Sequence, residues 1–259
     1  MRGLNILIKK LVYWALMAKF FTYMIINFKK FKRLKENGNT KEFHKLGRTS
    51  FKYYSDAIFK SSKCNFKILG EENVNFDETY LIVSNHSSIV DIAAIIRSFP
   101  KYFVFIAKKE LSNIPIFGRW FQVGGCIFLD RENIRESVEI LNRGIETLKG
   151  GISMCIFPEG TRSITGEVGE FKKGSFRLAL KSKVKILPVV LSGTRSVYED
   201  NNNKITKGDV IVAFLDPIDI ENLSSEECSN LHKTVRNLID EKYKELNQLK
   251  SKNDIKSFA

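Results

Sequence analysis

The sequence predicts a layered α/β domain with a largely parallel or mixed central sheet, preceded by an N-terminal two-helix element. Three observations carry this. Short apolar runs rich in β-branched and aromatic residues recur at 65–69, 80–84, 102–107, 126–129, 152–157, 186–191 and 210–215. Several show little polar alternation, as strands covered on both faces do. Segments of helical periodicity separate them, at 89–98, about 132–149, about 174–183 and about 225–249. Alternation of this kind builds helices onto the faces of one sheet.

Ahead of the strands, residues 11–26 read LVYWALMAKFFTYMII, interrupted only by Lys19 and Thr22. Lysines and arginines flank the run at 9–10 and 29–35. A spanning helix needs about 20 apolar residues, so this run reads as too short. A lysine near the centre of a span would cost about 2.5–3.5 kcal/mol. No small-residue cleavage site follows the run, so a removed signal peptide is not expected. A second helix is predicted over 40–62, capped by Asn39 with Glu42 three positions on. Phe43, Leu46, Phe51, Tyr54 and Ile58 recur along it at helical spacing, with basic residues between them. The organisation expected is therefore residues 1–63 as membrane-associating helices, 64–249 as the α/β domain and 250–259 as a polar tail.

Charge separates the parts in the same way. The whole chain of 259 residues carries a formal +13. Residues 1–63 hold fifteen lysines and arginines against three acids, whereas the remainder is close to neutral. A basic extension favours a polyanion. Its apolar middle selects an anionic membrane surface over nucleic acid. With 43% hydrophobic residues the chain can bury a full core. Four cysteines without C-x-x-C spacing and three scattered histidines give no metal-site pattern.

In a sheet of this kind, reactive groups collect where strands run into helices. Three polar segments occupy such positions: NHSSIVD after the run at 80–84, DRENIRES after 126–129, and FPEGTRS closing 152–157. In the first, Asp91 stands near enough to accept a hydrogen bond from one ring nitrogen of His86, leaving the other as a base. H-x-x-x-x-D alone is a common coincidence. Ser87 and Ser88 lack the G-x-S-x-G frame of a nucleophile elbow. The histidine would therefore act directly on a substrate hydroxyl. In the third segment, Gly160 allows close backbone approach and Arg162 offers a planar fork suited to phosphate.

Taken in order, NHSSIVD, AKKELSNIPIFG, GCIFLDR, FPEGTRS and ILPVVLSG closely resemble the glycerolipid acyltransferase family, in particular its bacterial lysophosphatidate acyltransferases. The resemblance covers about residues 80–195. It implies His86 as catalytic base and Asp91 as its orienting partner. It associates Gly125, Phe128 and Arg131 with the glycerophosphate acceptor. Glu159, Gly160, Thr161 and Arg162 match the motif whose arginine contacts the acceptor phosphate, and Lys108, more than Lys109, matches a basic residue near that phosphate. Pro188 has a structural or acyl-site counterpart. The implied reaction moves a fatty acyl group from an acyl-carrier protein or coenzyme A thioester to the 2-hydroxyl of 1-acyl-sn-glycerol-3-phosphate. It needs no metal or other cofactor, and the enzyme would sit on the cytoplasmic face of the cell membrane, monotopically, with a single span as the alternative. Another lysophospholipid as acceptor, or water in a membrane thioesterase, are the alternatives.

Overall fold

The computed structural model describes residues 2–130 and 134–251. Every predicted strand forms: β1 (Asn65–Leu69), β2 (Tyr80–Ser84), β3 (Phe103–Lys108), β4 (Ile127–Leu129), β5 (Ser153–Ile156), β6 (Lys185–Ser192) and β7 (Asp209–Phe214). They make one sheet in the order β1-β7-β6-β2-β5-β3-β4. β6, β2, β5, β3 and β4 are mutually parallel, and β7 pairs antiparallel with β6. The sheet is thus mixed. β2 and β5 are buried along their whole length, which is why their sequences lack alternation.

Helices cover the sheet: α3 (Asp91–Ser98), α5 (Ile134–Lys149), α6 (Arg177–Ser182) and α7 (Ser225–Ser251) match predicted periodic segments. The expected polar tail lies outside the described residues from position 252 onward. One short helix, α4 (Phe117–Val123), was not expected. It follows a tight turn in which the Phe117 N–H donates to Pro115 O at 2.7 Å and Ile116 has φ +67°. That is an uncommon conformation for a β-branched residue. Pro188 sits inside β6, where a missing N–H ordinarily breaks a ladder. Its carbonyl accepts from the Leu215 N–H just beyond the end of β7, and pairing resumes at the Ile186–Ile218 bridge, so the proline sits where the regular ladder between these two segments is interrupted.

The N-terminal helices are α1 (Arg2–Glu36) and α2 (Thr40–Ser62). Asn39 caps α2 by accepting the Glu42 N–H at 3.3 Å, as its sequence predicts. α1 differs from expectation. The apolar run 11–26 is the middle of one continuous 35-residue helix, long and apolar enough from Ile8 to Glu36 to cross a membrane by length and composition. Shortness therefore gives no reason against a span. Nor does Lys19 lie free in the apolar stripe, because its ammonium rests 4.7 Å over the Tyr53 ring of α2.

What commits α1 is its other face. At roughly 100° per residue, Phe20, Met24 and Phe31 fall on one side of the helix, and all three are fully buried. Phe31 is stacked between Phe43 of α2, at 4.4 Å, and Trp120 of α4, at 4.2 Å. The Trp120 indole N–H donates to Ser50 Oγ of α2 at 3.0 Å. The Lys35 ammonium caps the carbonyl of Val123 at 2.7 Å. α2 in turn packs on α3, where Ser55 Oγ donates to Ala93 O at 2.9 Å. The inner faces of both helices belong to the same core as the sheet.

Phe31→Ala should cost about 3–5 kcal/mol, the usual range for deleting a buried aromatic ring. Chemical unfolding followed by Trp120 fluorescence checks this. A loss under about 1 kcal/mol would mean that the hairpin is not docked through this stack.

Candidate active site

Asn85 ends β2 by extending its ladder with β6 through a side chain. Its side-chain amide donates to Leu191 O and accepts from Leu191 N–H, each at 2.9 Å. That pins the chain where it leaves the sheet and turns His86 outward. The His86 Nδ1–H donates to Asp91 Oδ2 at 2.8 Å. Asp91 opens α3 and is fully buried. The same oxygen accepts the Ser87 and Ser88 N–H groups, both at 2.7 Å. A carboxylate at a helix N-terminus is favoured by the helix dipole. With Nδ1 occupied as donor, Nε2 is left as an acceptor of protons. The imidazole stacks on Phe157 at 4.0 Å and 17°, which holds its plane, and its side chain is 21% exposed.

The turn after β5 is tied to this loop from the other side. Glu159 Oε1 accepts the His86 N–H at 2.7 Å and Oε2 accepts the Gly169 N–H at 3.3 Å. Ser163 N–H donates to His86 O at 2.8 Å. Gly160 has φ +77°, a conformation that residues with a Cβ rarely adopt, so the turn favours glycine. Thr161 and Arg162 project from it, exposed. The Arg162 Nη1 pairs with Glu199 Oε1 at 3.2 Å.

The structure thus gathers His86, Asp91, Glu159, Gly160 and Arg162 into one hydrogen-bonded unit. Lys108 is exposed at the carboxyl end of β3, two strands from β2 and hence about 10 Å across the sheet. Phe128 lies on β4, opposite Ala107. Gly125 makes the corner between α4 and β4 with φ +93°. Lys108 and Phe128 lie at or near that edge without joining the hydrogen-bonded unit, whereas Gly125, level with Val104, stands at the amino end of β4 and away from it. Arg131 falls outside the described residues. Lys109 is engaged with Asp130 at 3.1 Å, which leaves Lys108 as the better cation for a ligand. Sequence reasoning missed Phe157, Glu199 and Arg195, whose Nη1 donates to Ser163 O at 2.9 Å. The signal was available in outline: β6 is parallel to β2, so the loop after it must emerge at the same edge.

Among the described residues the arrangement offers an imidazole nitrogen able to take a proton and an exposed guanidinium, and no activated nucleophile. Ser87 is buried, and the Ser88 hydroxyl is spent on Glu199 at 2.6 Å while accepting the Val90 N–H at 3.0 Å. Burial pushes the Cys126 thiol up to about 12 and raises that of Cys155 further, so neither is a thiolate near neutral pH. The other two histidines are structural. His44 stacks on Tyr102 at 5.0 Å, where burial lowers its pKa, and His232 lies against Phe176.

Burial raises the Glu159 carboxyl above its ordinary 4.5, opposed by the N–H groups of His86 and Gly169. A raised folded-state value contributes stability below 4.5 that is lost as pH rises through the raised value. Glu159→Gln does not titrate. Its stability relative to wild type should therefore climb with pH through that window and then level off. Urea unfolding of both proteins at steps between about pH 4 and pH 7 reads the difference. A flat or falling difference would contradict the burial of this group.

Comparison with known proteins places this geometry. The family model described as Acyltransferase matches residues 65–192. The 1-acyl-sn-glycerol-3-phosphate acyltransferase of Saccharomyces cerevisiae is 36% identical over 191 residues, covering 73% of this chain and 63% of the relative. The enzyme of that name from Borreliella burgdorferi is 34% identical over 175 residues, covering 68% of this chain and 70% of the relative. The chain spans about half to two thirds of the length of the first curated relatives. The crystal structure of the 1-acyl-sn-glycerophosphate acyltransferase of Thermotoga maritima superposes with a TM-score of 0.77 at 29% identity, over 95% of this chain and 98% of that one. The chain therefore belongs to the acyltransferase family, among the relatives named 1-acyl-sn-glycerol-3-phosphate acyltransferases.

Proposed function

We propose that the protein transfers a fatty acyl group from an acyl thioester to the free 2-hydroxyl of 1-acyl-sn-glycerol-3-phosphate, giving phosphatidic acid. The observation that carries this is the hydrogen-bonded unit that holds a histidine base and an exposed arginine fork on adjoining loops. A hydroxyl that must lose a proton and a phosphate that must be held are the two demands of this acceptor. The names of the relatives supply the substrate class.

The hydroxyl oxygen attacks the thioester carbonyl carbon while its proton passes to His86 Nε2. The carbonyl reforms as the C–S bond breaks, and the thiolate takes the proton from the imidazolium. Thiols have an ordinary pKa near 8.5, so the leaving group needs little acid help. Asp91 stabilises the imidazolium that forms. No covalent acyl-enzyme is required. Arg162 and Lys108 hold the phosphate, Phe128 lies near Lys108 on the neighbouring strand, and Gly125 and Arg131 are assigned to the acceptor from their sequence motif alone. The donor is an acyl-carrier protein or coenzyme A thioester.

His86→Ala should lower transfer by at least about 100-fold, since a positioned base is worth 10²–10⁴-fold, with the fold kept because Asp91 Oδ2 still accepts the Ser87 and Ser88 N–H groups. Arg162→Ala and Lys108→Ala should each weaken use of the lysolipid by about 1.5–3 kcal/mol and leave donor saturation nearly unchanged. Steady-state kinetics with both substrates varied separates the effects. A folded His86→Ala protein retaining more than about a tenth of the rate would remove the base from the account. Thiol release without lysolipid at the full rate would indicate water as acceptor.

The acceptor's tail lies in a leaflet, and α1 is built to meet one. Opposite its buried face, Ile8, Leu11, Val12, Trp14, Ile25 and Ile26 form an exposed apolar stripe, with Trp14 65% and Ile26 73% exposed. Lys29, Lys30 and Arg33 continue the same side. Ile89 and Ile164, beside His86 and Arg162, add apolar surface at the mouth of the site. A helix docked on the protein along one face and apolar along the other lies in the interface plane, so we read the protein as monotopic on the cytoplasmic face.

Wild-type protein should float with anionic liposomes and stay bound in high salt, because apolar insertion persists after charges are screened. Trp14→Ser combined with Ile25→Ser should make binding salt-reversible. Complete release of wild type by salt would leave only electrostatic adsorption. An N-terminal label on the opposite side of the bilayer from the catalytic domain would show a span.

A further inference from the structure

Glu199 lies in the loop after β6, and its side chain is 16% exposed. Its carboxylate gathers three donors from two separate loops. Oε1 accepts Arg162 Nη1 at 3.2 Å and the Ile89 N–H at 2.9 Å, and Oε2 accepts Ser88 Oγ at 2.6 Å. The loop that carries it is itself braced. Arg195 holds Asp200 Oδ1 at 3.1 Å and Ser163 O at 2.9 Å, and Ser88 Oγ reaches Thr194 O at 3.4 Å. Ile89 and Ser88 lie between His86 and Asp91 in the chain, so one carboxylate is bonded at once to the loop of the base and to the arginine.

We infer that Glu199 is a positioning residue for the acceptor: it fixes the Arg162 fork against the His86 loop, and so sets the separation between the phosphate site and the base. This rests on the reading of Arg162 as the phosphate ligand. An arginine carries five N–H donors in a rigid plane, and Glu199 takes only Nη1. The remaining donors stay available to a phosphate, so binding does not require the ion pair to break. Arg162 is half exposed and would otherwise sample many rotamers. A phosphate and a 2-hydroxyl on one glycerol backbone sit at a limited range of separations, so a fork anchored to the base's own loop selects for that acceptor. The opposite role is a counter-ion that competes with phosphate for the arginine.

The test is steady-state kinetics in mixed micelles with lysophosphatidate and an acyl thioester, for wild type, Glu199→Gln, Glu199→Ala, Arg162→Ala and the double alanine variant. Thermal unfolding of each runs alongside. Glu199→Gln keeps an oxygen for the Ile89 N–H but loses the charge that holds Arg162. It should raise the acceptor KM about 3–10-fold, with kcat within about two-fold and donor KM unchanged. Glu199→Ala should raise the acceptor KM by more than about ten-fold, yet by less than about three-fold on the Arg162→Ala background, because the two act through one contact. An unchanged or lowered acceptor KM in Glu199→Gln would overturn the inference, the lowered value in favour of competition. Equal losses from Glu199→Ala in both backgrounds would overturn it in favour of a brace that merely supports the fold. If Arg162→Ala itself leaves the acceptor KM unchanged, the phosphate reading fails first. If Arg162→Ala raises it and neither Glu199 variant does, only this inference fails. Should Glu199→Ala not fold, Glu199→Gln decides alone.

Discussion

One oxygen of Asp91 accepts three N–H groups, from the His86 ring and from the backbones of Ser87 and Ser88, all within 2.8 Å. It does so at zero exposure, where each of those donors would be costly to leave unpaired. The loop between β2 and α3 is wrapped around this carboxylate. Its partner oxygen, Oδ1, is buried with no hydrogen bond, so the geometry favours a tight cluster on one side over even satisfaction of the whole group. The tautomer of His86, the turn at Ser87–Ser88 and the start of α3 all follow from that single acceptor. Glu159 repeats the arrangement from β5 by taking the His86 backbone N–H, so the histidine is fixed at its ring and at its main chain by different carboxylates.

The hairpin contributes through its two unlike faces. Phe20, Met24 and Phe31 bind it to the domain through Trp120 and α2, while the stripe from Ile8 to Ile26 stays outside. The contact between Lys35 and Val123 O places the end of α1 against the corner that leads through Gly125 into β4. The exposed apolar stripe of α1 is therefore carried on a helix whose other face shares one core with the sheet. This also explains why residues 11–26 of α1 are apolar on both sides, a pattern that otherwise marks a fully buried or membrane-embedded helix.

Local chemistry was legible in the sequence and distant chemistry was not. The strands could be read because continuous apolar runs mean burial on both faces. His86 and Asp91 could be read because a loop and the first turn of a helix bring positions five apart together. The FPEGTRS turn could be read from Gly160. Glu199 could not, since 37 residues separate it from Arg162 and 110 from Ile89, and only the parallel pairing of β6 with β2 brings them close. α4 was missed because seven residues are too few to display a helical period, and the chain turns at Ile116 directly ahead of them. The length of α1 was misjudged because the flanking lysines look like boundaries, whereas on a helix surface they cost little and the hydrogen-bonded backbone runs through them.

If a histidine base held by a buried carboxylate drives direct transfer between two bound substrates, as proposed, the acyl group makes no covalent stop on the protein. The most direct measurement is to mix enzyme with acyl thioester in the absence of lysolipid and read thiol release and intact mass together. Direct transfer predicts no burst of thiol and no added acyl mass until lysophosphatidate is supplied. A stoichiometric burst accompanied by one acyl group on the chain would place a nucleophile in the site and contradict the account.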